Sequence, residues 1–102
     1  MKHAIIVLLA LGGFAMGGQA QANADLAKAR NCMGCHAIDK KVIGPAYRDV
    51  AARYKGQKDA EAKLVVSITK GSTGTWGPMS MPPNAVSADE AETLAKWVLA
   101  QK

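Results

Sequence analysis

Apolar positions along the chain fall into one block near the start and four periodic stretches after it. The block runs from Ala4 to Ala15 and is broken only by Gly12 and Gly13. The stretches that follow predict four short helices. The first spans Asp25 to Met33, with Asn23 as its N-cap and Leu26, Ala29 and Met33 on one face. The second, Tyr47 to Lys55, groups Val50, Ala51 and Tyr54, and Gly56 stands where a left-handed C-cap belongs. The third, Asp59 to Lys70, carries Glu61, Leu64, Val65 and Ile68 at helical spacing and also ends on a glycine, Gly71. The fourth has the clearest start. Ser87 and Glu90 form an S-x-x-E capping box, and Ala91, Leu94, Ala95 and Val98 make an inward stripe with Trp97 beside it.

No stretch shows strand alternation, and no internal repeat or low-complexity tract follows the first block, so the pattern predicts an all-α chain. Two proline–glycine segments separate its helices: Ile43-Gly44-Pro45, and the long run from Gly71 to Asn84 with Pro78, Pro82 and Pro83. Prolines fix φ and remove donors, which predicts a stiff, extended segment there. Long irregular segments in small domains are usually functional.

The initial block changes the picture of what folds. Lys2, the apolar run and the small residues Gly17-Gly18-Gln19-Ala20-Gln21-Ala22 have the layout of a secretory signal cleaved after Ala22, with Ala20 and Ala24 as equally small alternative sites. A transmembrane anchor is the competing reading, but the run is shorter than the roughly 20 apolar residues a bilayer core requires. The expected division is therefore 1–22, an export signal, and 23–102, one domain. A domain of that size buries too little surface to be comfortably stable unaided and calls for a covalent or metal staple. A disulfide between Cys32 and Cys35, the chain's two cysteines, would close too short a loop to add much. With the signal removed, twelve Lys and Arg face eight Asp and Glu, a net charge of +4. That balance, without charge blocks or a nucleic-acid motif, predicts a solvated surface with some preference for acidic protein partners and none for nucleic acid.

The staple is indicated by Cys32-Met33-Gly34-Cys35-His36. In a C-x-x-C-H sequence the two thiols can add to the vinyl groups of a haem while the adjacent imidazole binds its iron. Structural zinc needs four ligands, and beyond residue 22 there is no other Cys or His to supply the fourth. A thioredoxin-like C-x-x-C needs a βαβ setting that the pattern does not offer. For the iron's other face the candidates are Met33, Met79, Met81 or a lysine. Met33 lies within the attachment motif itself. Met79 and Met81 stand in Trp76-Gly77-Pro78-Met79-Ser80-Met81-Pro82-Pro83-Asn84, where a stiff segment could hold a weak thioether; local sequence slightly favours Met81, which precedes the diproline.

These residues resemble those of the class I bacterial cytochromes c, of the c-551 type. The resemblance spans residues 23–102. It rests on the C-x-x-C-H motif, Ile43-Gly44-Pro45-Ala46-Tyr47, Gly71-Ser72, Trp76-Gly77-Pro78, Met81-Pro82-Pro83-Asn84 and Leu94-Ala95-Lys96-Trp97-Val98-Leu99. It implies a cytochrome c fold: about four short helices wrapped around one covalent haem c, with the first and last crossing so that Leu26 meets Leu94 and Val98. It implies Cys32 and Cys35 as the thioether sites and His36 and Met81 as the axial ligands. It further implies that the Pro45 carbonyl accepts from His36, that Trp76 bonds a haem propionate and that Asn84 steadies the Met81 sulfur. One departure stands out: relatives often carry a basic residue near a propionate where this chain has Ser67.

The function so implied is single-electron transfer in the periplasm by a monomer with no stable membrane association, not enzymatic turnover. Partners would be nitrite reductase, a peroxidase, a terminal oxidase or a quinol-oxidising complex. The competing class is a haem enzyme or gas-binding sensor, which needs an open coordination site and an acid–base group beside it. The docking rim is expected to draw on Lys28, Arg30, Lys40, Lys41 and Lys70.

Overall fold

The computed structural model describes residues 15–102, so the predicted export signal lies largely outside the described residues. Helix α1 spans Ala15–Ala29, α2 Tyr47–Tyr54, α3 Ala60–Lys70 and α4 Ala88–Leu99, and a short 3-10 turn covers Cys32–Gly34. Among the described residues no helix is long and apolar enough to cross a membrane.

The first helix differs from its expected form. Asn23 lies inside α1 rather than capping it, because the helix-compatible run Ala20-Gln21-Ala22 carries the helix back past it. The helix also stops at Ala29, short of Met33. Asn31 adopts a left-handed conformation (φ 63°), which asparagine tolerates better than most residues, and the chain turns there. The buried face follows suit. Ala27 is fully enclosed and Leu26 partly so, while Ala29 is exposed.

The second correction concerns the segment after α3, which is not a bare extended run. Strands β1 (Ser72–Gly74) and β2 (Gly77–Met81) pair antiparallel, Ser72 opposite Met81 and Gly74 opposite Gly77, with an irregularity between. Gly74 and Gly77 have φ of 82° and 110°, and these positive values let the chain reverse across Thr75-Trp76. Pro78 hides the strand in sequence, yet a two-stranded ribbon is all edge and tolerates it. Gly71 (φ 87°) is required for a second reason: a Cβ there would stand 2.7 Å from the Met81 carbonyl oxygen and 3.2 Å from Pro83 Cδ.

The remaining helices keep close to their predicted bounds. In α4 Ser87 Oγ accepts from the Glu90 amide at 3.1 Å, and the Glu90 carboxylate accepts from the Ser87 amide at 3.0 Å, which completes the capping box. Helix α2 lacks a side-chain cap at Ala46. Its leading amides, Tyr47 and Arg48, donate instead to the carbonyls of Ala37 and Ile38 at 2.9 and 3.0 Å, so the loop after the C-x-x-C-H motif supplies its N-terminal partners.

Packing joins α4 to α1, α2 and α3. The core comprises Ala27, Tyr47, Val50, Leu64, Ile68, Ala91, Leu94, Ala95, Trp97 and Val98. Ala27, Ala91 and Ala95 are wholly buried, and such small side chains allow α1 and α4 to approach closely. A bidentate contact ties the same two helices at their ends: Arg30 Nε and Nη2 donate to Glu90 Oε2 at 3.2 and 2.6 Å. The hydrogen bond from the Ser87 backbone, and then Arg30, hold the Glu90 carboxyl below its ordinary range. Its contribution to stability is therefore complete above the usual glutamate value of ~4.3 and is lost as pH falls through the depressed one. Glu90→Gln should lower the melting temperature at neutral pH, and the difference from the parent should close in strong acid. Thermal melts across the pH range test this.

Candidate functional site

The Cys32–Gly34 turn places the motif. His36 N–H donates to the Cys32 carbonyl at 3.0 Å, folding five residues into a single coil that presents two thiols and an imidazole on one side. The segment Ile43-Gly44-Pro45 then folds back on His36. Gly44 N–H donates to the Cys35 carbonyl at 2.7 Å, and His36 Nδ1 lies 2.7 Å from the Pro45 carbonyl oxygen. A carbonyl can only accept, so Nδ1 carries the proton and Nε2 keeps a free lone pair. A ring held in this way is preoriented, with Nε2 placed to serve as a donor.

Two contacts that sequence reasoning missed fix the ring plane. Tyr47, the first residue of α2, stacks on His36 with centroids 5.1 Å apart and planes 23° from parallel. Trp97 of α4 meets Tyr47 edge-on at 5.1 Å. Periodicity assigns Tyr47 and Trp97 to helix faces but carries no signal of their link to His36. Gly44 is the other missed residue. An added Cβ would overlap His36 Cε1 and lie 2.8 Å from Nδ1 and 3.0 Å from Nε2.

His36, Gly44, Pro45 and Tyr47 border a cavity of about 680 Å³, within the ~300–1,000 Å³ common for cofactor and ligand sites. Cys32, Cys35, His36, Pro45, Trp76, Met81 and Asn84, all singled out from sequence, line it. Val50, Leu64, Ile68 and Val98 contribute to its apolar wall. An inner recess of about 40 Å³ reaches Leu94 and Trp97 and is also bordered by Cys32, His36 and Met81. Met81 is half-buried, at the end of β2, whereas Met79, two residues earlier, is 65% exposed. Met33 packs against the core and does not line the cavity.

Two residues have partners that the sequence did not announce. The Asn84 carboxamide, expected at the Met81 sulfur, donates to the carbonyls of Ile68 (3.0 Å) and Pro82 (3.4 Å), where it braces the Met81-Pro82-Pro83 turn against α3. Arg30, expected on a cationic rim, is taken up by Glu90. Of the five expected rim cations, Lys41 alone lines the cavity.

The chemistry of the donor set narrows its use. Burial pushes the Cys32 thiol above its ordinary range, and the neighbouring Cys35 adds to the rise, against a lowering from a backbone hydrogen bond. Among the described residues, no three or more His, Cys, Asp or Glu side chains converge as the ligands of one ion would. Cys32, Cys35 and His36 all line the one cavity. That suits a broad planar group held at its rim by two sulfurs and at its centre by an imidazole. Gly44→Ala should force the His36 ring from its place, destabilise the chain by about 1–3 kcal/mol and abolish the His36 Nδ1–H resonance in NMR. Gly34→Ala, where an added methyl meets nothing within 4 Å, should preserve that resonance.

Comparison with known proteins follows the same lines. Residues 20–102 match the family model for Cytochrome c. The chain is 56% identical over 101 residues to cytochrome c-551 of Pseudomonas aeruginosa, covering 98% of this chain and 97% of that one. It is 46% identical over 103 residues to cytochrome c-552 of Nitrosomonas europaea, covering both in full. The crystal structure of wild-type Nitrosomonas europaea cytochrome c552 superposes with a TM-score of 0.76 at 49% identity, over 78% of this chain and 99% of that one. The class 1 cytochrome MtoD from Sideroxydans lithotrophicus superposes at 0.67 and 34% identity, over 79% and 94%.

Proposed function

The chain belongs to the cytochrome c family, and from that premise we propose that Cys32 and Cys35 hold its haem, that His36 and Met81 are the axial ligands, and that it shuttles single electrons in the periplasm. Family membership itself brings the coarser statements: one covalent haem c, a mostly helical class I fold, and electron transfer with redox partners rather than enzymatic turnover.

The observation that carries the finer reading is the shared cavity, in which Cys32, Cys35, His36 and Met81 all stand with the imidazole already oriented by Pro45. Bound haem supplies a ferric/ferrous couple. His36 offers Nε2 because Nδ1 is committed to Pro45, and Tyr47 limits rotation of its ring. Met81 brings a neutral thioether on a strand pinned by the tight Gly71 contact. Neutral axial donors within an apolar wall favour the less charged reduced state and raise the potential. Two donors supplied by the chain leave no open coordination site, which argues for a carrier over a haem enzyme or gas sensor.

Residues 1–22 are proposed to direct export and to be removed. The partners proposed are nitrite reductase, a peroxidase, a terminal oxidase or a quinol-oxidising complex. Their contact edge would be the exposed cavity rim at Val42, Ile43 and Met79 with Lys41 beside it. An apolar contact flanked by a cation predicts electron-transfer rates to an acidic partner that fall moderately with ionic strength.

Absorption spectroscopy tests the ligation. The weak long-wavelength band of ferric iron–methionine coordination should be present in the holoprotein, vanish in Met81→Ala and persist in Met79→Ala. Carbon monoxide should bind the ferrous protein slowly at neutral pH. Rapid binding, or a band that survives Met81→Ala, would contradict the reading.

A further inference from the structure

Arg53 belongs to none of the groups described so far. It stands in the last turn of α2, exposed, with its guanidinium carbon 4.5 Å from the centroid of the Trp76 ring. That is close stacking of a cation on an indole. The ion pairs Arg30–Glu90, Lys63–Asp59 and Lys96–Glu61 do not engage Arg53. Trp76 itself lines the cavity, and its indole N–H donates to no group among the described residues. The pair is therefore an exposed positive charge stacked on an uncommitted donor that itself lines the cavity.

Its place along α2 gives the pair meaning. Tyr47 opens that helix stacked on His36, so the helix leads away from the attachment motif. Arg53 lies six residues further on, about 9 Å along the axis. In a haem the vinyl groups that join cysteines and the two propionate carboxylates occupy opposite edges of the macrocycle. A haem joined to Cys32 and Cys35 would therefore turn its carboxylates to the side of the cavity away from them. A partly buried carboxylate needs a hydrogen-bond donor and a counter-charge. The cavity lining supplies little charge. Lys41 is bridged to His36 at the attachment end, Asp49 is of the wrong sign, and Ser67 is neutral.

We propose that Arg53, acting through Trp76, provides the positive charge that faces the haem carboxylates and so helps set the reduction potential. Arg53 is a positioning and electrostatic residue here, not a ligand. The stacking restrains the Trp76 ring, and the guanidinium strengthens its N–H as a donor. The charge also favours the reduced state, whose iron–porphyrin core carries one positive charge fewer. The inference rests on the haem placement proposed above.

The test compares holoprotein carrying Arg53→Met and Arg53→Lys with the parent, each equilibrated against a redox mediator of known potential. Arg53→Met keeps length and apolar contact but removes the charge. It should shift the equilibrium constant about two- to fivefold toward the oxidised form, the range of a partly exposed charge pair. Arg53→Lys should retain most of the parent value, and the difference between Met and Lys should shrink at high salt. An unchanged equilibrium in Arg53→Met, or equal shifts in both variants, overturns the proposal, since the first denies any effect and the second reports packing alone. Failure of the axial-ligand reading is distinguishable, because the unmutated ferric protein would then lack the long-wavelength band.

Discussion

The hydrogen bond between His36 Nδ1 and the Pro45 carbonyl is the constraint on which the rest of the molecule turns. At 2.7 Å it fixes both the tautomer and the direction of the imidazole. It can form only because Gly44 lets the backbone lie flat against the ring. From His36 the constraint passes to Tyr47 by stacking and from Tyr47 to Trp97 by an edge contact, so the orientation of the imidazole is continuous with the packing of α2 on α4. A change in that core is consequently a change at the site. The cost of disturbing the ring includes the loss of a buried contact, not only of one hydrogen bond.

The part of the cavity lined by Met81 is organised on different principles. Met81 reaches the cavity from a two-stranded ribbon with few buried side chains of its own. Gly71 allows the Met81 backbone to pass close to the end of α3, and Asn84 clamps the following turn to the Ile68 carbonyl. Position is thus imposed from α3 onto a segment with little intrinsic stability. A thioether is a weak ligand, and a strand fixed at both ends is one way for a small chain to keep it in register.

Sequence was most informative where chemistry and spacing are local. The Cys32-Met33-Gly34-Cys35-His36 motif, the Ser87–Glu90 capping box and the α4 stripe each sit within a few residues, and the structure reproduces the box and the stripe. It was least informative where the outcome depends on distant partners. Periodicity could not see that the glycines at 74 and 77 would reverse the chain, so the hairpin read as an extended loop. Charge alone could not show that Arg30 is consumed by Glu90, and the Asn84 amide finds backbone carbonyls that no motif announces. Helix α1 ran past its apparent cap because neighbouring alanines outweighed one asparagine. In each case a tertiary contact or an upstream propensity overrode a local signal.

The central claim is that a side chain from each wall closes the iron, His36 on one and Met81 on the other. It is tested most directly by proton NMR of the reduced holoprotein with its methionine methyls labelled. The account predicts one methyl shifted far upfield by the ring current of the macrocycle, assigned by substitution to Met81, with those of Met33 and Met79 near their ordinary positions. An upfield methyl assigned to Met79, or none at all, would contradict it.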